Sequence, residues 1–130
     1  MYIIYYTCIL SEIEIKELEW YLRDYFFRQY KQGNQEFDRE SIAKEMISVY
    51  LRYRNSDWHK LNAMVNSVVE SLISMLVVKQ LDGGPIQLTS ELSRLQCSKC
   101  FYISYLGNNE PMRCLRCSAK ELHEFPVRKH

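Results

Sequence analysis

Apolar positions along this chain fall into three stretches of helical spacing and then a stretch of alternation. In the first, Ile15, Leu18, Leu22, Phe26 and Tyr30 recur at steps of three and four, the stripe of an amphipathic helix. Trp20, Tyr21, Tyr25 and Phe27 widen the stripe, so this helix is expected to bury more than one side. Ser11 and Glu14 have the spacing of a capping box and place the helix start at Ser11. The preceding MYIIYYT reads equally as a short strand or as an apolar lead-in to the helix. Gly33 suits the left-handed position that ends a helix.

The second stretch has Ile42, Met46, Val49, Tyr50 and Tyr53 on its face, with Asp38 as the cap. The third carries Leu61, Met64, Val65, Val68, Leu72, Met75 and Leu76, with Asp57 as the cap, and is the clearest amphipathic segment. The expected core is Leu18, Leu22, Phe26, Ile42, Met46, Leu61, Val65, Val68 and Leu72. Beyond Leu76, β-branched residues lead into Asp82-Gly83-Gly84-Pro85, after which Ile86 and Leu88 alternate with polar residues. This predicts a hairpin. Pro85 confines its second strand to an edge or marks that strand's start.

Cysteine spacing adds the chemistry. Cys97 and Cys100 form one C-x-x-C pair, and Cys114 and Cys117 a second; Phe101 to Arg113 between them alternates at first and turns at Gly107-Asn108-Asn109. Two such pairs brought side by side by a hairpin supply four thiolates to one tetrahedral zinc ion. An iron–sulfur cluster uses the same ligand type, yet two balanced pairs on a hairpin suit a single ion better. His123 lies beyond a ligand set already complete, and Cys8 sits among apolar residues as an inert thiol. With no open position, the zinc is structural: some 30 residues bury too little apolar area to fold unaided.

Length and composition bound the rest. The chain has 130 residues, 47% hydrophobic and 25% charged, which fits one domain or a small domain with a mini-domain. Its formal net charge of +1 gives no strong overall field toward nucleic acid or membrane. No apolar run approaches the roughly 20 residues a bilayer requires. The start lacks a basic region and a small-residue cleavage site, so an intracellular protein with no membrane association is expected. Reducing conditions there favour metal over disulfides.

The segment from about Leu95 to Phe125, with its four cysteines and intervening turn, resembles the zinc-ribbon superfamily. The order helix, helix, helix, hairpin resembles a winged-helix domain. Together they are similar in architecture to winged-helix plus zinc-ribbon transcription factors such as the large subunit of general transcription factor IIE. The fold expected is mainly α with small β: a helical, winged-helix-like domain over 1–92 and a zinc ribbon over 93–130.

His59, His123 and His130 are scattered, and no nucleophile-elbow, P-loop or zincin motif occurs. Glu12, Glu14, Glu17, Glu19 and Asp24 read as the solvated face and cap of the first helix. A non-catalytic protein is expected. Between Asp57 and Gln80 the only lysines are Lys60 and Lys79, with no arginine, which is poor equipment for reading duplex DNA. From Cys97 onward six bases face three acids. Lys99, Arg113 and Arg116 flank the cysteine pairs beside Tyr102 and Tyr105, a set that can contact a protein partner or nucleic acid. The function expected is a zinc-binding adaptor making protein–protein contacts in transcription or replication machinery. Its rival is a regulator that reads duplex DNA through the winged helix.

Overall fold

The computed structural model describes the backbone of residues 2–126 and the side chains of residues 12–126. Three helices, α1 (Tyr2–Lys31), α2 (Ile42–Val49) and α3 (Trp58–Ser74), are joined by six strands. The strands are β1 (Glu36–Phe37), β2 (Val78–Gln80), β3 (Ile86–Leu88), β4 (Ser93–Cys97), β5 (Ile103–Leu106) and β6 (Leu122–Glu124). They form two antiparallel three-stranded sheets, ordered β1-β3-β2 and β5-β4-β6.

This overturns the expectation of a mainly α chain with small β, a winged-helix-like domain followed by a ribbon. The architecture is mixed α and β, with as many sheet layers as the sequence pattern offered hairpins. Two short strands account for the difference. Glu36–Phe37 pairs with Gln87 and Ile86, so the predicted hairpin is closed on its second side and β3 becomes a central strand. Leu122–Glu124 pairs with Leu95 to Cys97 and extends the cysteine hairpin in the same way. Neither segment is long enough to show a period. Pro85 stands one residue before β3, at the strand-start position where its missing N–H leaves the ladder intact.

All nine expected core residues are buried. They join Phe37, Val77, Val78, Ile86, Leu88, Leu92 and Tyr105 in one cluster that links the helices to both sheets. α1 is the axis of this core. Every residue from Leu22 to Phe27 is buried, so the helix is covered on all sides over that span. Trp20 Nε1 donates to the Ile103 carbonyl at 2.8 Å, and the Phe27 and Tyr105 rings lie 5.3 Å apart. These contacts dock β5 on the face of α1 opposite the helices.

The helix ends explain which boundary signals succeeded. The last turn of α1 closes with Gly33 N–H donating to the Tyr30 carbonyl and Asn34 N–H to that of Gln29. Gly33 takes φ +91°, the left-handed conformation such a cap requires. α3 ends in the same geometry, with Leu76 N–H on the Ile73 carbonyl and Val77 N–H on that of Leu72. Here a leucine at φ +62° occupies the glycine position, and no sequence rule points to it. The capping box at Ser11 does not start a helix, because α1 already runs from Tyr2. Asp38 is not the cap of α2 either. It accepts from the Glu40 N–H and the Ser41 hydroxyl and shapes the turn before that helix. Asp57 holds the cap position of α3 without a side-chain bond.

Candidate metal centre

Two tight turns build the cysteine site. The first, Cys97 to Phe101, leaves the end of β4; the second, Cys114 to Ser118, follows the β5 turn. They are near copies of each other. Phe101 N–H donates to the Cys97 carbonyl at 3.0 Å, and Ser118 N–H to the Cys114 carbonyl at 2.9 Å. The residue after each pair, Phe101 or Ser118, is left-handed at φ +65°. The leading sulfur of each turn faces two backbone donors: Lys99 and Cys100 N–H on Cys97 Sγ, Arg116 and Cys117 N–H on Cys114 Sγ, all within 3.4–3.5 Å.

The four sulfurs lie within 4.8 Å of one another. Cys97 and Cys117 approach to 3.6 Å, as do Cys100 and Cys114. A tetrahedron with Zn–S bonds of about 2.3 Å has edges of about 3.8 Å, so the cluster has the size of a single zinc ion's ligand set. The thiol chemistry agrees. N–H bonds, that of Cys100 foremost, hold the Cys97 thiol below its ordinary value. Burial opposes ionisation at Cys114, but donation from Cys117 and Arg116 carries it down to about 6. At Cys117 the Ala119 N–H favours the thiolate, yet the three neighbouring sulfurs push it up to about 12. Like charges crowd here, and a divalent cation is the natural relief. The four cysteines could therefore hold one metal ion, in an arrangement compatible with a zinc ribbon.

His123 is not a ligand. Its Nδ1 lies 3.2 Å from Ser98 Oγ and its Nε2 3.3 Å from Gln96 Oε1, a bridge between the first turn and β4. His59 stacks edge-on against Trp58 far along the chain. The side chain of Cys8, and the whole of Arg128, Lys129 and His130, lie outside the described residues.

Of the five residues proposed as contacts, the structure separates one. Tyr105 is 2% exposed, and its hydroxyl donates to Asp24 Oδ1; it is a core residue, because β5 turns that face onto α1. Asp24 also accepts from the Tyr50 hydroxyl at 2.6 Å and from Arg28 at 2.9 Å, so it belongs to the interior and not to a solvated helix face. Burial, joined by the bond to Asp24, pushes both tyrosine hydroxyls well above their ordinary range. Next to Asp24, Arg23 is 1% exposed and grips Glu110 through two bonds of 2.7 and 2.9 Å, the Tyr105 carbonyl at 2.6 Å, and Glu19. Its burial disfavours the charge, but Glu110 and Glu19 outweigh that and raise its pKa. Glu110 passes the constraint on by accepting from Gly107 N–H.

Lys99 is exposed and lies 3.8 Å from Glu121. Tyr102 is half-buried, with the Arg116 guanidinium 5.9 Å above its ring, and Arg113 is exposed. The structure adds residues the sequence reading did not include. Ile13, Lys16, Glu17, Trp20 and Tyr21 of α1 meet Tyr102 and Arg116 across a groove of about 520 Å³. Nothing in linear spacing joins positions some ninety residues apart.

No protein-family model, curated protein or solved structure matches this chain. Among the described residues no helix is long and apolar enough to cross a membrane.

Proposed function

We propose that this chain is a zinc-binding accessory protein without catalytic activity of its own, and that it works by bringing a protein partner to the ribbon. The observation that carries the reading is the closed set of four thiols. Four protein sulfurs fill the coordination of zinc and leave no position for water or substrate, so the ion's part is to hold the two turns in place. Two features support a docking role. In and just before the two turns, Phe101, Met112 and Leu115 are exposed at 69%, 61% and 42%, large apolar side chains available to a partner. They are held firmly relative to α1 through Arg23, Trp20 and Tyr105. Transcription or replication machinery inside the cell is the setting we favour. Duplex reading by a winged helix is the less favoured reading, since Asp57 to Gln80 offers only Lys60 and Lys79 and no arginine for phosphates and base edges.

Native mass spectrometry of the purified chain is expected to find one zinc ion per molecule. A pull-down from the source cells is expected to recover a specific protein, and Phe101→Ser with Leu115→Ser is expected to abolish that recovery while zinc is retained. Recovery unchanged in the zinc-loaded double variant would refute the docking surface, and a chain that purifies without zinc would refute the metal site.

A further inference from the structure

From the groove between α1 and the second cysteine turn, we infer that this protein binds single-stranded nucleic acid there. One base would stack on the Tyr102–Trp20 wall, and the adjoining phosphates would lie on Lys16 and Arg116. The inference rests on the metal-held ribbon described above, since the second turn forms one side of the groove. It concerns a different surface from the exposed Phe101 and Leu115.

The groove's lining sets the class of occupant. Three of its seven residues are aromatic: Trp20, Tyr21 and Tyr102. Trp20 spends its one polar atom on the Ile103 carbonyl, so what remains for a ligand is ring surface. Tyr21 stands edge-on to Trp20 at 88°, with its ring braced by Tyr50 and Tyr53 at 5.0 and 5.3 Å. The rings are thereby held against rotation before any ligand arrives, which lowers the entropy lost on stacking.

Charge decides between a nucleic acid and an uncharged partner. The single acid of the lining, Glu17, is taken by Arg52. Lys16 and Arg116 make no ion pair among the described residues, and Arg116 sits over a ring. Arg113, in the residue before the second cysteine pair, and Lys120 just beyond it are likewise exposed and without an ion pair among the described residues. Uncompensated cations around fixed aromatic faces suit a polyanion with planar rings, the combination that grips single strands without regard to sequence. A duplex hides its base faces and would meet only the cations. An acidic peptide would satisfy the cations but gains little from the rings.

The test is a titration of the full zinc-loaded chain with a fluorescein-labelled oligothymidylate of about twelve nucleotides. With two phosphates neutralised, affinity is expected to fall roughly sevenfold between about 50 and about 200 mM salt. Tyr102→Leu is expected to weaken binding at least about fivefold, and Lys16→Gln or Arg116→Gln to flatten the salt dependence. Each variant is checked for zinc by native mass spectrometry, which separates loss of the groove from loss of the metal site. A Trp58→Phe background leaves Trp20 as the sole tryptophan, and its emission is expected to be quenched as the oligonucleotide saturates. Three results would overturn the inference: no binding at the lower salt, binding indifferent to Tyr102→Leu and Arg116→Gln in zinc-loaded protein, or equal affinity for a duplex of the same length. Displacement of the oligonucleotide by polyglutamate at equal charge would also overturn it and assign the groove to acidic peptides.

Discussion

Arg23 shows how much one residue can decide. Its guanidinium is buried and satisfied on every side by Glu19, Glu110 and the Tyr105 carbonyl. Removing it strands the Glu110 carboxylate, itself 7% exposed, without a counter-charge. Breaking a buried pair from one side costs roughly 3–5 kcal/mol. Arg23→Leu is therefore expected to lower the urea midpoint by a corresponding amount at unchanged slope. A loss under about 1 kcal/mol would show that the pair is solvated in solution. Substituting both partners by apolar residues is expected to recover part of the loss.

The thiols define a second prediction at this scale. Cys114 is held at about 6 against an ordinary 9.0. A depressed acid adds stability that is complete above its ordinary value and is lost as the pH falls through its folded value. Metal release follows the same sign, because protons compete for the ligands. Zinc is expected to stay bound at neutral pH and to be released on acidification, as a chromophoric chelator would read. Release beginning on the alkaline side of neutrality would mean that the N–H···S bonds do not favour the thiolate.

At the scale of the element, the two helix ends can be compared directly. α1 and α3 close with the same pair of backbone bonds, one on Gly33 and the other on Leu76. A left-handed non-glycine residue costs about 1–2 kcal/mol, and glycine costs about 0.5–1 kcal/mol in the unfolded chain. Leu76 is 59% exposed, so its side chain offsets little. Leu76→Gly is expected to stabilise the protein by about 0.5–1 kcal/mol, seen as a raised denaturant midpoint. Destabilisation would mean that the Leu76 side chain makes contacts in solution that its exposure does not suggest. Its carbonyl, which accepts from Thr89 Oγ1 at 2.6 Å, is kept by the substitution.

For the whole molecule, the question is how the two sheets share α1. The first sheet and the helices have a large apolar core that involves no metal, including Leu22, Val65, Val68 and Ile86. The second sheet leans on that core through Tyr105 and Ile103 and on the cysteine cluster for the rest. Chelation of the metal is expected to leave most of the helical circular dichroism in place. In the Trp58→Phe background it is also expected to shift Trp20 emission to the red, as the bond to the Ile103 carbonyl is lost. Collapse of the helical signal together with the zinc would instead make the chain a single cooperative unit.

What the sequence determined by itself is what lies in local spacing. Apolar steps of three and four identified nine buried residues correctly, because a helix of fixed pitch turns such positions to one side regardless of what covers them. Two C-x-x-C pairs marked the four thiols that the fold brings together, because a tight turn places two thiols side by side over four residues. Tertiary structure alone decided the rest. Glu36–Phe37 and Leu122–Glu124 become strands only because a neighbouring edge offers them hydrogen bonds, and two or three residues carry no period to announce it. Asp24 and Tyr105 look like surface residues and are interior ones, because each supplies the other's partner across eighty-one positions of chain. The groove of Lys16, Trp20, Tyr102 and Arg116 exists for the same reason. Its walls come from opposite ends of the sequence, and only the docking of the second sheet on α1 sets them face to face.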